Sequence, residues 1–342
     1  MTKKYLFYIS QNYSFEILRP IQKELWNRQI KVMWLVVGDE VNHDYFTEDE
    51  VVEYSIDKAR EFKPDACFVP GNNIPNFISG LKVQVFHGLE WKKKGHFVIR
   101  GFFDLYCTHG PATTDRFNKL ANQHQYFDVV ETGWPKLDLL FSAPAFTQCP
   151  PDKKTILYAP TFSPALTSAP ALYQEISSLI QNKNYHWLVK FHPKMDKSWV
   201  EKYQALSCDN FQVIETPVLN NILQRADIML SDTSSVIGEF ALLNKPVITF
   251  KNSQPGDYLI DIDDTSQLAD AIEQAFKPNA LLLAAIKQYA QQLHPYNDGK
   301  SAHRIIDAVE SILQKGKQAK KNKPWNIFRN LKTRKSLSYW KL

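Results

Sequence analysis

The chain has 342 residues, 44% of them hydrophobic and 13% aromatic, which is enough to bury a sizeable core in two domains and excludes a disordered or fibrous polymer. No stretch approaches the roughly 18 unbroken apolar residues of a membrane-spanning helix, and the opening MTKKYLFYISQNYSFEI lacks the small-residue cleavage site of a secretory signal, so the body is expected in the cytoplasm. The formal net charge of +5 hides a division: residues 315–342 carry eight Lys, two Arg and no acid, a +10 tail on a −5 body, which points to one localised anionic partner.

Short apolar strands alternate with helical segments in two runs, the pattern of parallel α/β sheets. In the first run the strands are expected at residues 6–9, 32–37, 66–69, 83–86, 105–108 and 128–130, with helices such as 15–28 and 48–62 between them. A proline-rich stretch, SAPAFTQCPPD, breaks the pattern as a linker would. The second run places strands at 155–158, 186–191, 212–214, 227–230 and 246–250, and helices at 171–181, 218–224, 234–243, 266–276, 281–292 and 301–313. This gives an amino-terminal domain over 1–145, a second domain over 152–313 and a basic tail over 315–342. Two open α/β sheets joined by a short linker are expected to face each other across a cleft, and the chemistry is sought there.

Cysteine and histidine spacing excludes several chemistries. Cys67, Cys107, Cys149 and Cys208 form no CxxC pair and read as reduced thiols. The nine histidines form no HExxH pattern, and His186 and His192, placed in one strand, would stand about 20 Å apart, too far to share an ion.

Ligands bind just outside the carboxyl ends of parallel strands, so the residues that follow each strand are the candidates. After 227–230 comes Ser231-Asp232-Thr233-Ser234-Ser235 and then a helix, which puts hydroxyls and unpaired backbone N–H groups where a diphosphate would bind. One of these residues acting only as a helix cap is the structural alternative, although five in succession exceed what one cap needs. Glu239 lies within the next turn, within reach of a ribose hydroxyl or on a solvated face. His87-Gly88 follows the strand at 83–86; its imidazole suits a general base, with a core histidine as the alternative. His192 follows 186–191 with Lys190 beside it and suits the neutralisation of phosphate oxygens on a departing nucleotide, while Thr161 follows 155–158. Lys92, Lys93, Lys94 and Arg100 make a basic loop after His87 that would steer an anionic acceptor or be merely solvated. The turn Asn297-Asp298-Gly299-Lys300-Ser301 opens the last long helix of the body, as a cap would.

Taken in order, VFHGLEWKKKG, ILYAPTF, LVKFHPK, ADIMLSDTSSVIGEFALLNKPVITF and NDGKSAHRII resemble the CDP-glycerol glycerophosphotransferase family that builds teichoic-acid-type polymers. The resemblance covers roughly two thirds of the chain, and the combination of blocks is specific where any one alone is weak. It implies a glycosyltransferase-B fold and a metal-independent transfer of an alditol phosphate from a CDP donor, without a cofactor. It also implies that the two functional histidines are His87 and His192 and that the donor diphosphate lies at Thr233, Ser234 and Ser235. One departure is plain: Leu89-Glu90 follows His-Gly where the family often has Thr-Pro.

In the tail, Trp325, Ile327, Phe328, Leu331, Leu337, Tyr339 and Trp340 interleave with Lys and Arg, the composition of an interfacial segment on anionic lipid. A disordered solubilising tail and a nucleic-acid contact are the competing readings. The expected function is transfer of glycerol phosphate or a similar alditol phosphate from CDP-glycerol or a related donor to a polysaccharide or lipid-linked acceptor. CMP is released, nucleic acid plays no part, and the protein works peripherally on the inner face of the cell membrane. A UDP-sugar glycosyltransferase or epimerase on the same fold is the alternative enzyme, and a membrane-docked protein without turnover is the non-enzyme alternative.

Overall fold

The computed structural model describes residues 3–89, 95–147, 150, 152–182, 184–215, 219–316 and 321–341. The chain divides into two α/β units, residues 1–141 with 293–342, and residues 142–292.

The first unit contains β1 (Lys4–Ile9), α1 (Ser14–Asn27), β2 (Lys31–Val36), β3 (Val52–Glu53), α2 (Ile56–Phe62), β4 (Ala66–Val69), β5 (Leu81–Gln84), β6 (Leu105–Thr108), α3 (Pro111–His124), β7 (Asp128–Glu131) and α4 (Lys136–Ser142). Its seven strands are all parallel, in the order β3-β2-β1-β4-β5-β6-β7. Every residue of β4 and β6 is buried, as in strands covered by helices on both faces. On one face Leu6, Cys67, Val69, Phe86, Tyr106 and Phe117 share a core. Residues 48–62 are not one helix: the β-branched pair Val51-Val52 extends into β3, and α2 begins only after Ser55, whose hydroxyl accepts from Lys58 N.

The second unit contains β8 (Lys154–Tyr158), α5 (Ala169–Leu179), β9 (Tyr185–Val189), α6 (Lys197–Gln204), β10 (Phe211–Val213), α7 (Leu219–Arg225), β11 (Ile228–Ser231), α8 (Val236–Ala241), β12 (Val247–Phe250), β13 (Ile260–Ile262), α9 (Leu268–Phe276) and α10 (Ala280–Leu293). Its strand order, β10-β9-β8-β11-β12-β13, is again wholly parallel. In each sheet one neighbouring pair, β1 with β4 and β8 with β11, marks where the winding reverses, the place where such folds bind ligands.

The chain then returns to the first unit, so the expected second domain over 152–313 is too long. In α11 (Ser301–Lys315), Ile305, Ile306 and Val309 are buried. Its polar side pairs with α1: Arg28 reaches Asp307 at 2.7 Å and Glu310 at 3.3 Å, and His303 Nδ1 lies 2.9 Å from Glu24. An amphipathic stripe shows that one face is covered but not by which neighbour, which is why the sequence pattern left α11 with the strands that precede it. The tail also folds onto this unit as α12 (Ile327–Ser336). Lys323 pairs with Asp104 at 2.6 Å, Asn326 donates to Arg100 O, and Tyr339 is buried with its hydroxyl on Asp57.

Candidate active site

In the first unit the loops after β1, β4 and β5 meet at His87. The strand stops at Gln84, two residues earlier than the sequence pattern placed its end, and Phe86 turns the chain with φ at 57°. A non-glycine residue in that left-handed region costs about 1–3 kcal/mol and persists only where its surroundings hold it. Here the Phe86 ring stacks on His96 at 5.1 Å and meets His109 and Phe117 each at 5.3 Å, while Trp134 Nε1 donates to Phe86 O at 3.5 Å. The turn leaves His87 exposed, so the core-histidine alternative falls away. Its Nδ1 lies 3.1 Å from Pro70 O, and its ring stacks on Tyr13 at 5.2 Å. A carbonyl only accepts, so Nδ1 carries a proton, and in the neutral form of the ring the lone pair is at Nε2, which bonds to no described residue.

Three further histidines lie behind this loop. Burial holds His96 down at about 4 and His294 likewise at about 4, and burial drives the enclosed His109 well below the usual histidine range. All three are neutral at neutral pH. Arg100 donates to Val98 O at 3.2 Å within its own loop, and Lys92, Lys93 and Lys94 lie outside the described residues. The turn before α11 is capped from a distance: Asp138 on α4 accepts from Ser301 N at 2.8 Å and Ala302 N at 2.7 Å.

In the second unit the loops after β8, β9 and β11 converge. Ser231 and Asp232 are wholly buried, which differs from the direct ligand contact expected of them. Ser231 Oγ donates to Ala159 O at 2.7 Å. Asp232 accepts from Thr161 N at 2.8 Å and Thr233 N at 2.7 Å through Oδ1, and from Ser168 N at 2.8 Å and Ser168 Oγ at 2.9 Å through Oδ2. The pair clamps the β8 and β11 loops together. Thr233 is half-buried and accepts from Ser253 N at 3.1 Å. Ser234 is half-buried; Ser235 is exposed at the head of α8, where its side chain caps nothing. Glu239 is buried within α8.

His192 lies beyond the end of β9, exposed, with its ring stacked on Phe162 at 4.3 Å. Its Nδ1 accepts from Lys194 N at 3.1 Å, so in the neutral ring the proton sits on Nε2. Burial, then Lys194, lowers its pKa, which makes it a neutral donor at neutral pH. Burial also lowers the Lys190 ammonium, whose Nζ is 3.5 Å from Glu215 O. The Thr161 amide is tied to Asp232, and its neighbour Phe162 stacks on His192, so the loop after β8 touches both the loop after β11 and the one after β9. A cavity of about 480 Å³ lined by Lys153, Arg225, Asp227 and Phe276 lies at the starts of β8 and β11, the opposite sheet edge. Among the described residues no group of three His, Cys, Asp or Glu is placed to hold a metal ion.

Residues 102–311, more than half the chain, match the family model of CDP-Glycerol:Poly(glycerophosphate) glycerophosphotransferase. The chain belongs to this family. It is 29% identical over 177 residues to the teichoic acid glycerol-phosphate primase of Bacillus subtilis, a match covering 47% of this chain and 44% of that protein. It thus spans less than half the length of that relative. It is 23% identical to the teichoic acid ribitol-phosphate primase of Bacillus spizizenii, over 77% of this chain and 78% of that protein. A solved structure of the wall teichoic acid polymerase TagF has the same glycosyltransferase-B fold, with a TM-score of 0.63 at 16% identity over 92% of this chain and 89% of that one.

In this glycerophosphotransferase-family chain three further polar residues, not named from the sequence, also follow strand ends. Tyr13 follows β1, His109 follows β6, and Asn252, whose Nδ2 donates to Asp232 O at 2.7 Å, follows β12. The strand-end rule that found His87 applies to all three, but His109 is enclosed behind the His87 loop, and only Tyr13 meets His87 itself.

Proposed function

We propose that this chain transfers glycerol phosphate, or a similar alditol phosphate, from a CDP-activated donor to a hydroxyl of a membrane-associated or cell-surface polysaccharide acceptor and releases CMP. The observation that carries the reading is the opposite hydrogen bonding of two exposed imidazoles: His87 Nδ1 faces a carbonyl, which leaves Nε2 as the acceptor of the neutral ring, and His192 Nδ1 accepts from an amide, which leaves the N–H at Nε2. His87 takes the proton of the acceptor hydroxyl as its oxygen attacks the donor's β-phosphorus. The bond from that phosphorus to the bridging oxygen breaks, and its electron pair leaves with CMP. His192 Nε2–H and the Ser234 and Ser235 hydroxyls donate to the charge that gathers on the departing phosphate, with Thr161 and Lys190 beside them. Thr233 and Glu239 complete the donor side, and Ser231 and Asp232 hold its loops. Transfer of this kind needs positioning and charge stabilisation more than covalent chemistry.

Arg100 and the loop of Lys92, Lys93 and Lys94 would draw in an anionic acceptor, and the basic tail would hold the protein peripherally on the inner face of the membrane. Among the described residues no helix is long and apolar enough to cross a membrane. CMP release by His87→Ala and His192→Ala tests the roles. Each variant is expected to lose about 100-fold or more in kcat with its melting temperature retained. A rate equal to the unmodified protein's in either would remove that residue from the mechanism.

A further inference from the structure

We infer that Tyr13 is a positioning residue for the base, its ring fixing the His87 imidazole in the orientation that turns Nε2 outward. The inference rests on the reading of His87 as the base and adds a residue from the β1 loop, outside the family-model match, which begins at residue 102.

Tyr13 is not a core residue. Its neighbours Ser14 and Phe15 are buried at 2% and 4% exposure, whereas Tyr13 is 38% exposed, with its ring stacked on His87 at an interplanar angle of 29°. Among the described residues the imidazole is otherwise held by the left-handed turn at Phe86 and by the 3.1 Å contact of Nδ1 with Pro70 O. One hydrogen bond leaves the ring free to swing about that contact; a flat partner against its face removes the freedom. The three restraints come from three loops, after β1, β4 and β5, at the reversal point of the sheet. Gly71, next to Pro70, also lies near the phenol: a Cβ there would stand 3.9 Å from Tyr13 Oη, an ordinary contact. The phenol is raised in pKa by burial and then by Glu40, so it stays neutral and acts through its ring. When His87 takes up the acceptor proton, the same ring face stabilises the imidazolium against it.

Tyr13→Leu keeps bulk without a π face, Tyr13→Ala removes both, and Tyr13→Phe keeps the ring alone. The Leu and Ala variants are expected to lower kcat for CMP release about tenfold or more while KM for CDP-glycerol holds, and Phe is expected to stay within about twofold of the unmodified protein. Full kcat in Tyr13→Leu overturns the inference, as does a lowered melting temperature with kcat unchanged, or a Phe variant as slow as Leu. His87→Ala measured alongside separates the two readings. If it keeps full activity, the base assignment falls and the positioning role with it; if it is inactive while Tyr13→Leu is fast, only the positioning role falls.

Discussion

Two kinds of polar residue stand at the strand ends of the two units, and they differ in what their environment allows. Asp232 is enclosed, and both of its oxygens are saturated by Thr161, Thr233 and Ser168, so its charge is spent on holding loops. His87 and His192 each use one ring nitrogen on a backbone partner, and the other bonds to no described residue. Behind His87, His96, His109 and His294 are held neutral by burial, and this links stability to pH. Their folded pKa values lie below the unfolded value of about 6.5, so the stability they contribute is complete above that pH and is lost as pH falls toward 4. His294 alone, at about 4, gives up on the order of 2 kcal/mol by pH 5. The paired carboxylates Glu24, Glu50 and Asp298, lowered below their usual range, act only at lower pH still. The melting temperature should therefore fall steadily between pH 6.5 and 4.5; a flat profile there would show these rings charging freely in the native state.

At the scale of elements, α12 is the segment whose structure adds most to what its composition implied. It is folded, with Thr333 and Tyr339 buried toward the first unit and Arg334 placed over the Phe77 ring at 4.6 Å. The outward side carries Trp325 at 85% exposure, Phe328 at 88%, Ile327, Leu331 and Trp340, with Lys332 and Lys335 among them. Such exposed aromatic and basic side chains fit an interface with anionic lipid, and two of the tail's charges, Lys323 on Asp104 and Lys341 on Asp57, are already engaged by carboxylates of the protein. The proposed attachment should then rest on inserted rings as well as on charge. Binding of the full chain to phosphatidylglycerol vesicles is expected to weaken but persist when salt rises from about 0.1 to 0.5 M, and to be lost in Trp325→Ala/Phe328→Ala at either salt. Unchanged binding of that double variant would remove α12 from the interface.

For the whole molecule, the two sheets were legible because buried parallel strands such as 66–69 and 105–108 read as continuous apolar runs, and the β-α alternation orders them locally. The positions after strand ends led to His87, His192, Ser234 and Ser235 for the same local reason. What depends on strand order or distant partners was not legible: Tyr13 meets His87 because β1 lies beside β4, Ser231 and Asp232 are enclosed because β8 lies beside β11, and α11 returns to α1 across the chain. The short β3 and β13 escaped because two or three residues carry no measurable period.

The most direct measurement is nucleotide release by the unmodified protein from a panel of CDP-glycerol, CDP-ribitol and UDP-sugars, each with and without a lipid-linked oligosaccharide acceptor. CMP released from a CDP-alditol in equal amount to the alditol phosphate gained by the acceptor is the expected result. No CMP from any CDP-alditol, or UDP released from a UDP-sugar instead, would contradict the assignment of this chain as an alditol-phosphate transferase.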